Sequence, residues 1–120
     1  MTILAVSIGG AIGALLRYGF TKWSTNLTLF GVSIGTLGVN VVGSFLIGLL
    51  YAKIGESPLS AHLKLFLFTG LLGGFTTFSA YSIEAVSLFQ SGQTNLAFMT
   101  ILLHNVLGIS MAFAGYMITK

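Results

Sequence analysis

The chain of 120 residues has no cysteine, a single proline and only two acidic residues, both of them glutamates. Without cysteine it can form neither a disulfide nor a thiolate metal site. It also has no paired carboxylates and no cluster of histidines, the usual groups of acid–base or metal catalysis, so we predict that it is not an enzyme. Its five lysines and arginines are scattered and form no basic patch, which argues against a nucleic-acid partner.

Charge of either sign is also scarce. Charged residues make up 6% of the chain, whereas hydrophobic residues make up 55% and the mean hydropathy is +0.99. A soluble domain contains about a quarter charged residues, because its large surface must be hydrated. This composition excludes an ordinary soluble domain and indicates a protein surrounded by membrane lipid.

Four predominantly apolar stretches are present, and crossing about 30 Å of hydrocarbon takes about 20 helical residues. Short polar segments separate the stretches, and one of these segments holds the only proline, Pro58. We predict an all-α membrane protein with a single transmembrane domain over residues 1–120 and spans near 3–20, 32–52, 63–89 and 95–119. No basic segment precedes the first span, so we expect no cleaved signal peptide.

The lysines and arginines near the span ends show almost no bias between the two membrane sides. Lys53, Lys64 and Lys120 would share one side, and Arg17 and Lys22 the other. Because such a bias normally fixes the orientation of a membrane protein, its near absence predicts a chain that inserts both ways. A chain of this kind can pair with its own inverted copy.

Glycine is abundant, with sixteen residues, and many of these lie inside the spans. Gly9/Gly13 and Gly70/Gly74 form GxxxG pairs, which let helix backbones approach closely in lipid. Four helices alone enclose little space for a solute. The same close-packing surfaces therefore favour an oligomer, and we predict a dimer.

The third span contains the adjacent Gly73 and Gly74, followed by Thr76 and Thr77. Glycine is permissive, and threonine hydroxyls can bond to backbone groups, so this is where a helix would unwind near mid-membrane. Carbonyls freed there could hold a cation. The alternative is an unbroken helix whose threonine hydroxyls bond to the preceding turn.

Several polar or aromatic side chains lie within the spans. Asn40 must find hydrogen-bond partners, and either a small anion or a neighbouring helix could provide them. Phe78 and Tyr81 are three residues apart and share a helix face, with Ser79 and Ser82 in a hydroxyl row beside them. The positive ring edges could attract an anion, and ordinary packing is the alternative.

Ionisable groups and amides within the other spans allow two interpretations each. Arg17 and Glu84, near the ends of the first and third spans, could pair with each other, or Arg17 could draw anions into a vestibule. His104 and Asn105 lie near the middle of the last span. We interpret His104 as a packing residue, since the sequence offers it no second metal ligand.

The stretches at residues 9–18, 35–40 and 70–84 together resemble the Fluc (CrcB) fluoride channel family, in an order and spacing that cover essentially the whole chain. The third stretch is the specific one, and the first two alone would be weak. The resemblance implies an antiparallel, dual-topology homodimer with two pores. It also implies passive export of fluoride across the cell's inner membrane, which lowers cytoplasmic fluoride.

The resemblance implies a role for individual residues along the fluoride path. Asn40 would donate to fluoride, Phe78 would present its ring edge, and Tyr81 stands where phenylalanine is common. In the fourth span Gly108 and Ala112 occupy positions that carry hydroxyls in the family. The remaining residues implied are the entrance pair Arg17 and Glu84, the hydroxyls of Thr77, Ser79 and Ser82, and Ser110 and Asn105 as substitutes in the fourth span.

The resemblance also implies a structural Na⁺ on the dimer axis, held by the backbone carbonyls of Gly73 and Thr76 of each subunit. Two other functions remain as alternatives. A proton-coupled small multidrug exporter would need an acidic residue in its first span, and residues 1–20 contain none. A non-transporting membrane assembly subunit would use its glycines for packing alone.

Overall fold

The computed structural model describes all 120 residues. Four helical spans are long and apolar enough to cross a membrane, and they cover Thr2–Trp23, Ile34–Ile54, Ala61–Gln90 and Thr94–Thr119. The first is α1 (Thr2–Trp23), and the second is α2 (Ile34–Ile54). An all-α chain with four membrane-spanning segments, as predicted from composition, is confirmed.

A short antiparallel hairpin connects α1 to α2. Strand β1 (Thr28–Leu29) pairs with β2 (Val32–Ser33), and α2 follows directly at Ile34. Phe30 and Gly31 form the turn with φ angles of 52° and 83°. Two consecutive positive φ angles suit the right-handed twist of a two-residue hairpin. Residues 32 and 33, which the hydropathy pattern placed in the second span, belong to this hairpin.

The third span consists of four helical pieces and one extended step. It begins with α3 (Ala61–Lys64), continues as a π-helical segment (Leu65–Leu72), and returns to α-helical geometry in α4 (Gly73–Phe75). Thr76 and Thr77 are extended, with φ and ψ of −89° and 157°, and of −151° and 114°. Helix α5 (Phe78–Gln90) then completes the span. The predicted break is confirmed, one residue after the glycine pair and at the two threonines.

Glycines join the spans in two seams, in which one backbone lies against another. In the first seam α1 packs on the π-helical segment and α4: a Cβ added at Gly9 would lie 2.6 Å from the Phe66 carbonyl oxygen, and one at Gly74 would lie 2.6 Å from that of Gly10. In the second seam α2 packs on α6 (Thr94–Thr119), where Gly48 faces the Ala112 carbonyl. Both predicted GxxxG pairs lie in the first seam.

The fully buried core is small, and its largest side chains are Val39, Thr100 and Ser24. Many large apolar side chains instead lie on the outside of the four-helix unit. Such a surface is stable only in hydrocarbon or against another protein. The fold therefore leaves two environments for its outer face, membrane lipid and a second chain.

Candidate ion path

A cavity of about 390 Å³ lies where α2, the break, α5 and α6 meet. Among the residues predicted for function, it brings together six from α2 and the third span and one from α6. The thirteen residues that line it are Asn40, Gly43, Ser44, Ile47, Phe68, Leu72, Gly73, Thr76, Thr77, Phe78, Tyr81, His104 and Asn105. Arg17, Glu84, Ser79, Ser82 and Ser110 do not line it.

Asn40 of α2 is bonded at both ends of its amide to the backbone of Thr77. Its Nδ2 donates to the Thr77 carbonyl at 3.0 Å, and its Oδ1 accepts from the Thr77 N–H at 2.8 Å. The amide nitrogen carries two protons. One of them is therefore left for the cavity, while the other bonds fix the break against α2.

The break leaves backbone carbonyls without their usual helical partners. The Thr77 N–H donates to Asn40 and not to the carbonyl of Gly73 four residues earlier. The Ala80 N–H donates to Thr77 Oγ1 at 3.2 Å, because Thr77 caps the start of α5. As a result the Thr76 carbonyl accepts no hydrogen bond within the chain.

Phe78 and Tyr81 lie on one face at the start of α5, as their spacing predicts. Their ring centroids are 5.3 Å apart and the ring planes are inclined by 86°, an edge-to-face arrangement. The Phe78 side chain is 76% exposed in the single chain although it lines the cavity. The rings thus form one wall of the cavity, and the exposed part of Phe78 faces either lipid or a second chain.

Two residues of α6 contact Tyr81 from the other side of the cavity. The imidazole ring of His104 stacks on the Tyr81 ring with centroids 4.1 Å apart, and Asn105 Nδ2 donates to the Tyr81 hydroxyl at 3.2 Å. Sequence reasoning did not find these contacts. The signal available was Tyr81 itself, because a tyrosine hydroxyl within a span needs a partner.

Arg17 and Glu84 do not pair with each other. Arg17 Nε donates to the Gly74 carbonyl at 3.0 Å, and so binds α1 to a residue two positions before Thr76, where the break begins. The Glu84 carboxylate accepts a hydrogen bond from the Thr36 hydroxyl on α2. Of the two interpretations of these residues, the mutual ion pair is therefore wrong for the single chain.

The predicted hydroxyl row is only partly directed at the cavity. Ser82 donates to the Phe78 carbonyl at 3.0 Å, and Ser79 lies 3.2 Å from Thr77 Oγ1. Of this row, Thr77 alone lines the cavity. Among the fourth-span candidates Asn105 lines it and Ser110 is exposed elsewhere on α6.

Comparison with known proteins finds one matching family and several similar proteins. The family described as "CrcB-like protein, Camphor Resistance (CrcB)" matches residues 4–116. A protein of Parabacteroides distasonis is 39% identical, over 98% of this chain and 92% of its own length. A protein of Agrobacterium fabrum is 47% identical over 96% and 93%, and one of Thermus thermophilus is 45% identical over 94% and 89%. Each of the three is named "Fluoride-specific ion channel FluC".

These matches span almost the whole chain and include all four membrane-spanning helices and the break. The resemblance noted from the three sequence stretches is thereby confirmed. Taken with the four apolar spans, they establish that this chain is a multi-pass membrane protein and belongs to the CrcB family.

Proposed function

We propose that this chain forms a fluoride-specific channel in the plasma membrane, through which fluoride leaves the cell passively. The observation that carries the proposal is the cavity at the break, which is lined by an amide, by hydroxyl side chains and by two aromatic rings in edge-to-face contact with each other. The three relatives, each named a fluoride-specific ion channel, support fluoride as the ion. Export down the electrical gradient would lower cytoplasmic fluoride and protect the cell from its toxicity.

The donors of the cavity suit a small and strongly hydrated anion. A selective path must replace the water around the ion with fixed hydrogen-bond donors. The free amide proton of Asn40 and the hydroxyl of Tyr81 are such donors, and the edges of Phe78 and Tyr81 add weak positive potential. A narrow aromatic wall would exclude larger halides.

The functional unit in this proposal is an antiparallel, dual-topology homodimer with two pores. The support lies in the single chain: two residues that line the cavity, Phe78 at 76% exposed and Gly73, are exposed on its outside. A second, inverted copy would cover these residues and close the path. The near-equal distribution of Lys and Arg between the two membrane sides suits insertion in both orientations.

A structural Na⁺ at the contact between the two copies is part of the proposal. The chain's groups fit a cation, because the Thr76 carbonyl accepts no hydrogen bond and the carbonyl of Gly73 is released by the Thr77 N–H. Neutral carbonyl oxygens are suitable ligands for a hard cation. When bound, the ion would add positive charge near the path without a buried lysine. Gly73 is exposed, so its carbonyl can meet a second copy.

The test is halide efflux from liposomes that contain the purified protein. With a potassium gradient and a potassium ionophore, fluoride is expected to leave quickly and chloride to stay, as recorded by ion-selective electrodes. Empty vesicles prepared in the same way are the control. Fluoride efflux no faster than from empty vesicles would overturn the proposed function.

A further inference from the structure

His104 and Asn105 of α6 meet Tyr81 at the cavity. The resemblance suggests Asn105 only as a substitute for a fourth-span hydroxyl, and it gives His104 no role. The His104 ring contacts the face of the Tyr81 ring, at a centroid distance of 4.1 Å with the ring planes inclined by 19°. Asn105 Nδ2 donates a hydrogen bond to the Tyr81 hydroxyl at 3.2 Å. Helix α6 therefore holds both the ring and the hydroxyl of a residue that belongs to α5.

Asn105 has no donor left for an anion. Its amide nitrogen carries two protons, and these are used by the Tyr81 hydroxyl at 3.2 Å and by the Ile101 carbonyl at 2.8 Å. The remaining polar atom of the side chain, Oδ1, is an acceptor and repels an anion. Asn105 can therefore affect a passing anion only through Tyr81.

His104 has no donor to offer either when its ring is neutral. Nδ1 lies 3.0 Å from the Thr100 carbonyl, which can only accept, so Nδ1 carries the proton. Nε2 then holds a lone pair, and this atom is buried without a hydrogen-bond partner. What His104 contributes at the cavity is the flat ring against which Tyr81 stacks.

The hydroxyl of Tyr81 is the uncommitted donor of the three side chains. It accepts from Asn105, and its own proton has no partner within the chain. A hydroxyl that accepts one hydrogen bond becomes a better donor of another, since chained hydrogen bonds polarise each other. The stacked His104 ring and the edge contact with Phe78 fix the direction of the Tyr81 ring on two sides.

We propose that His104 and Asn105 are positioning residues, which hold Tyr81 so that its hydroxyl proton donates to fluoride in the cavity. The proposal rests on the proposed fluoride channel function. It assigns to α6 a part in fluoride recognition without any contact between α6 and the ion. It also explains the hydroxyl of Tyr81, which stands where the family commonly has phenylalanine: the hydroxyl would donate a hydrogen bond to fluoride.

The test is a double-mutant cycle on fluoride and chloride efflux, with Tyr81→Phe, Asn105→Leu and the two combined. Loss of one neutral hydrogen bond is worth about 1 kcal/mol, so Tyr81→Phe is expected to lower fluoride efflux about fivefold. Asn105→Leu is expected to lower it by no more than Tyr81→Phe does. In the double variant efflux should equal that of Tyr81→Phe alone, because Asn105 acts through the hydroxyl that is already missing.

His104 is tested by a matched pair of substitutions. His104→Phe keeps an aromatic ring for stacking and is expected to keep fluoride efflux near the wild-type rate. His104→Ala removes the ring and is expected to lower efflux about threefold, in line with the strength of one aromatic pair. Equal losses in both variants would contradict a stacking role.

The outcomes separate this inference from the proposed function. If wild-type protein moves no fluoride, the function itself fails. If wild type conducts but Tyr81→Phe conducts equally well, the donor role of Tyr81 is wrong. If Asn105→Leu slows efflux as much in the Tyr81→Phe background as alone, Asn105 does not act through Tyr81. Size-exclusion chromatography checks assembly, and Asn105→Ala replaces Asn105→Leu if that variant does not assemble.

Discussion

Backbone hydrogen-bonding groups in lipid are satisfied in two different ways in this chain. One is seen in the glycine seam between α1 and the π-helical segment, and the other at the break at Thr76 and Thr77. In the seam, Gly9 and Gly74 bring helix backbones together, while the helices satisfy their own hydrogen bonds. At the break the regular backbone hydrogen bonds of the helix are interrupted. Asn40 and Arg17, which belong to other helices, bond to the backbone there. In lipid, unsatisfied backbone groups are costly. At the break, polar side chains of other helices therefore bond to the backbone of Thr77 and Gly74, while the Thr76 carbonyl keeps no partner within the chain.

The largest effect is expected from a side chain added to the seam. Gly13→Leu would force atoms into the backbone of Leu71 and Phe75, which cannot move aside without separating α1 from the third span. We expect little or no assembled protein, as measured by the yield of a single size-exclusion peak in detergent. Gly19→Ala is the control, since nothing lies within 4 Å of a Cβ at Gly19. A normal yield of Gly13→Leu would show that the seam is not essential.

A change at the break should remove function and leave the seam intact. Phe78→Ile replaces the exposed ring of the cavity wall by a side chain without an aromatic edge. We expect fluoride efflux to fall to the level of empty vesicles, while the elution volume stays that of wild type. Phe98→Ile is a suitable control, because Phe98 is exposed on α6 and does not line the cavity. Unchanged efflux in Phe78→Ile would show that the aromatic edge of Phe78 is not needed for fluoride conduction.

A smaller but still clear loss of fluoride efflux is expected from a change at Asn40, which joins α2 to the break. Asn40→Asp puts a negative charge beside the path and removes the donor to the Thr77 carbonyl, which Asn40 Nδ2 supplies at 3.0 Å. We expect fluoride efflux to slow by about tenfold, the effect of about 1.4 kcal/mol. The measurement is the same efflux assay over a range of fluoride concentrations. A faster channel would count against selection by donors.

The smallest effect is expected from exchange of the cation. Replacing Na⁺ by a bulky organic cation throughout purification should weaken the assembled channel if the carbonyls of Gly73 and Thr76 hold Na⁺. The thermal midpoint of the assembled species, followed by size-exclusion chromatography after heating, is expected to fall. Restoring Na⁺ should reverse the change. Equal midpoints in both cations would leave the proposed cation site without support.

The sequence allowed the spans and the seam to be predicted, because both depend on composition and local spacing. Apolar length indicates a membrane helix, and the spacing of Gly9 and Gly13 already defines a face. The position of the break could also be predicted, because Gly73 and Gly74 precede Thr76 and Thr77 with only Phe75 between the two pairs. Its residues combine backbone freedom with hydroxyls that compete for backbone bonds.

The partners across the site could not be predicted in the same way. That Arg17 bonds to Gly74, and that Asn105 bonds to Tyr81, depends on which helices are neighbours and at what height. Spacing along one helix carries no information about the facing helix. The hairpin before α2 was missed for another reason, because Val32 and Ser33 are followed without a gap by apolar residues that hide the boundary.

The π-helical segment Leu65–Leu72 has a consequence for how this chain tolerates changes in length. A π-helix bonds residue i to residue i+5, so it accommodates an additional residue per turn compared with an α-helix. Deleting one residue there would let the segment relax to α-helical geometry, so the residues on either side of it would keep nearly their present orientation about the helix axis. Single-residue deletions in this stretch would thus disturb the packing on α1 less than deletions within a regular α-helix such as α2, where each deletion turns the residues beyond it by about 100°.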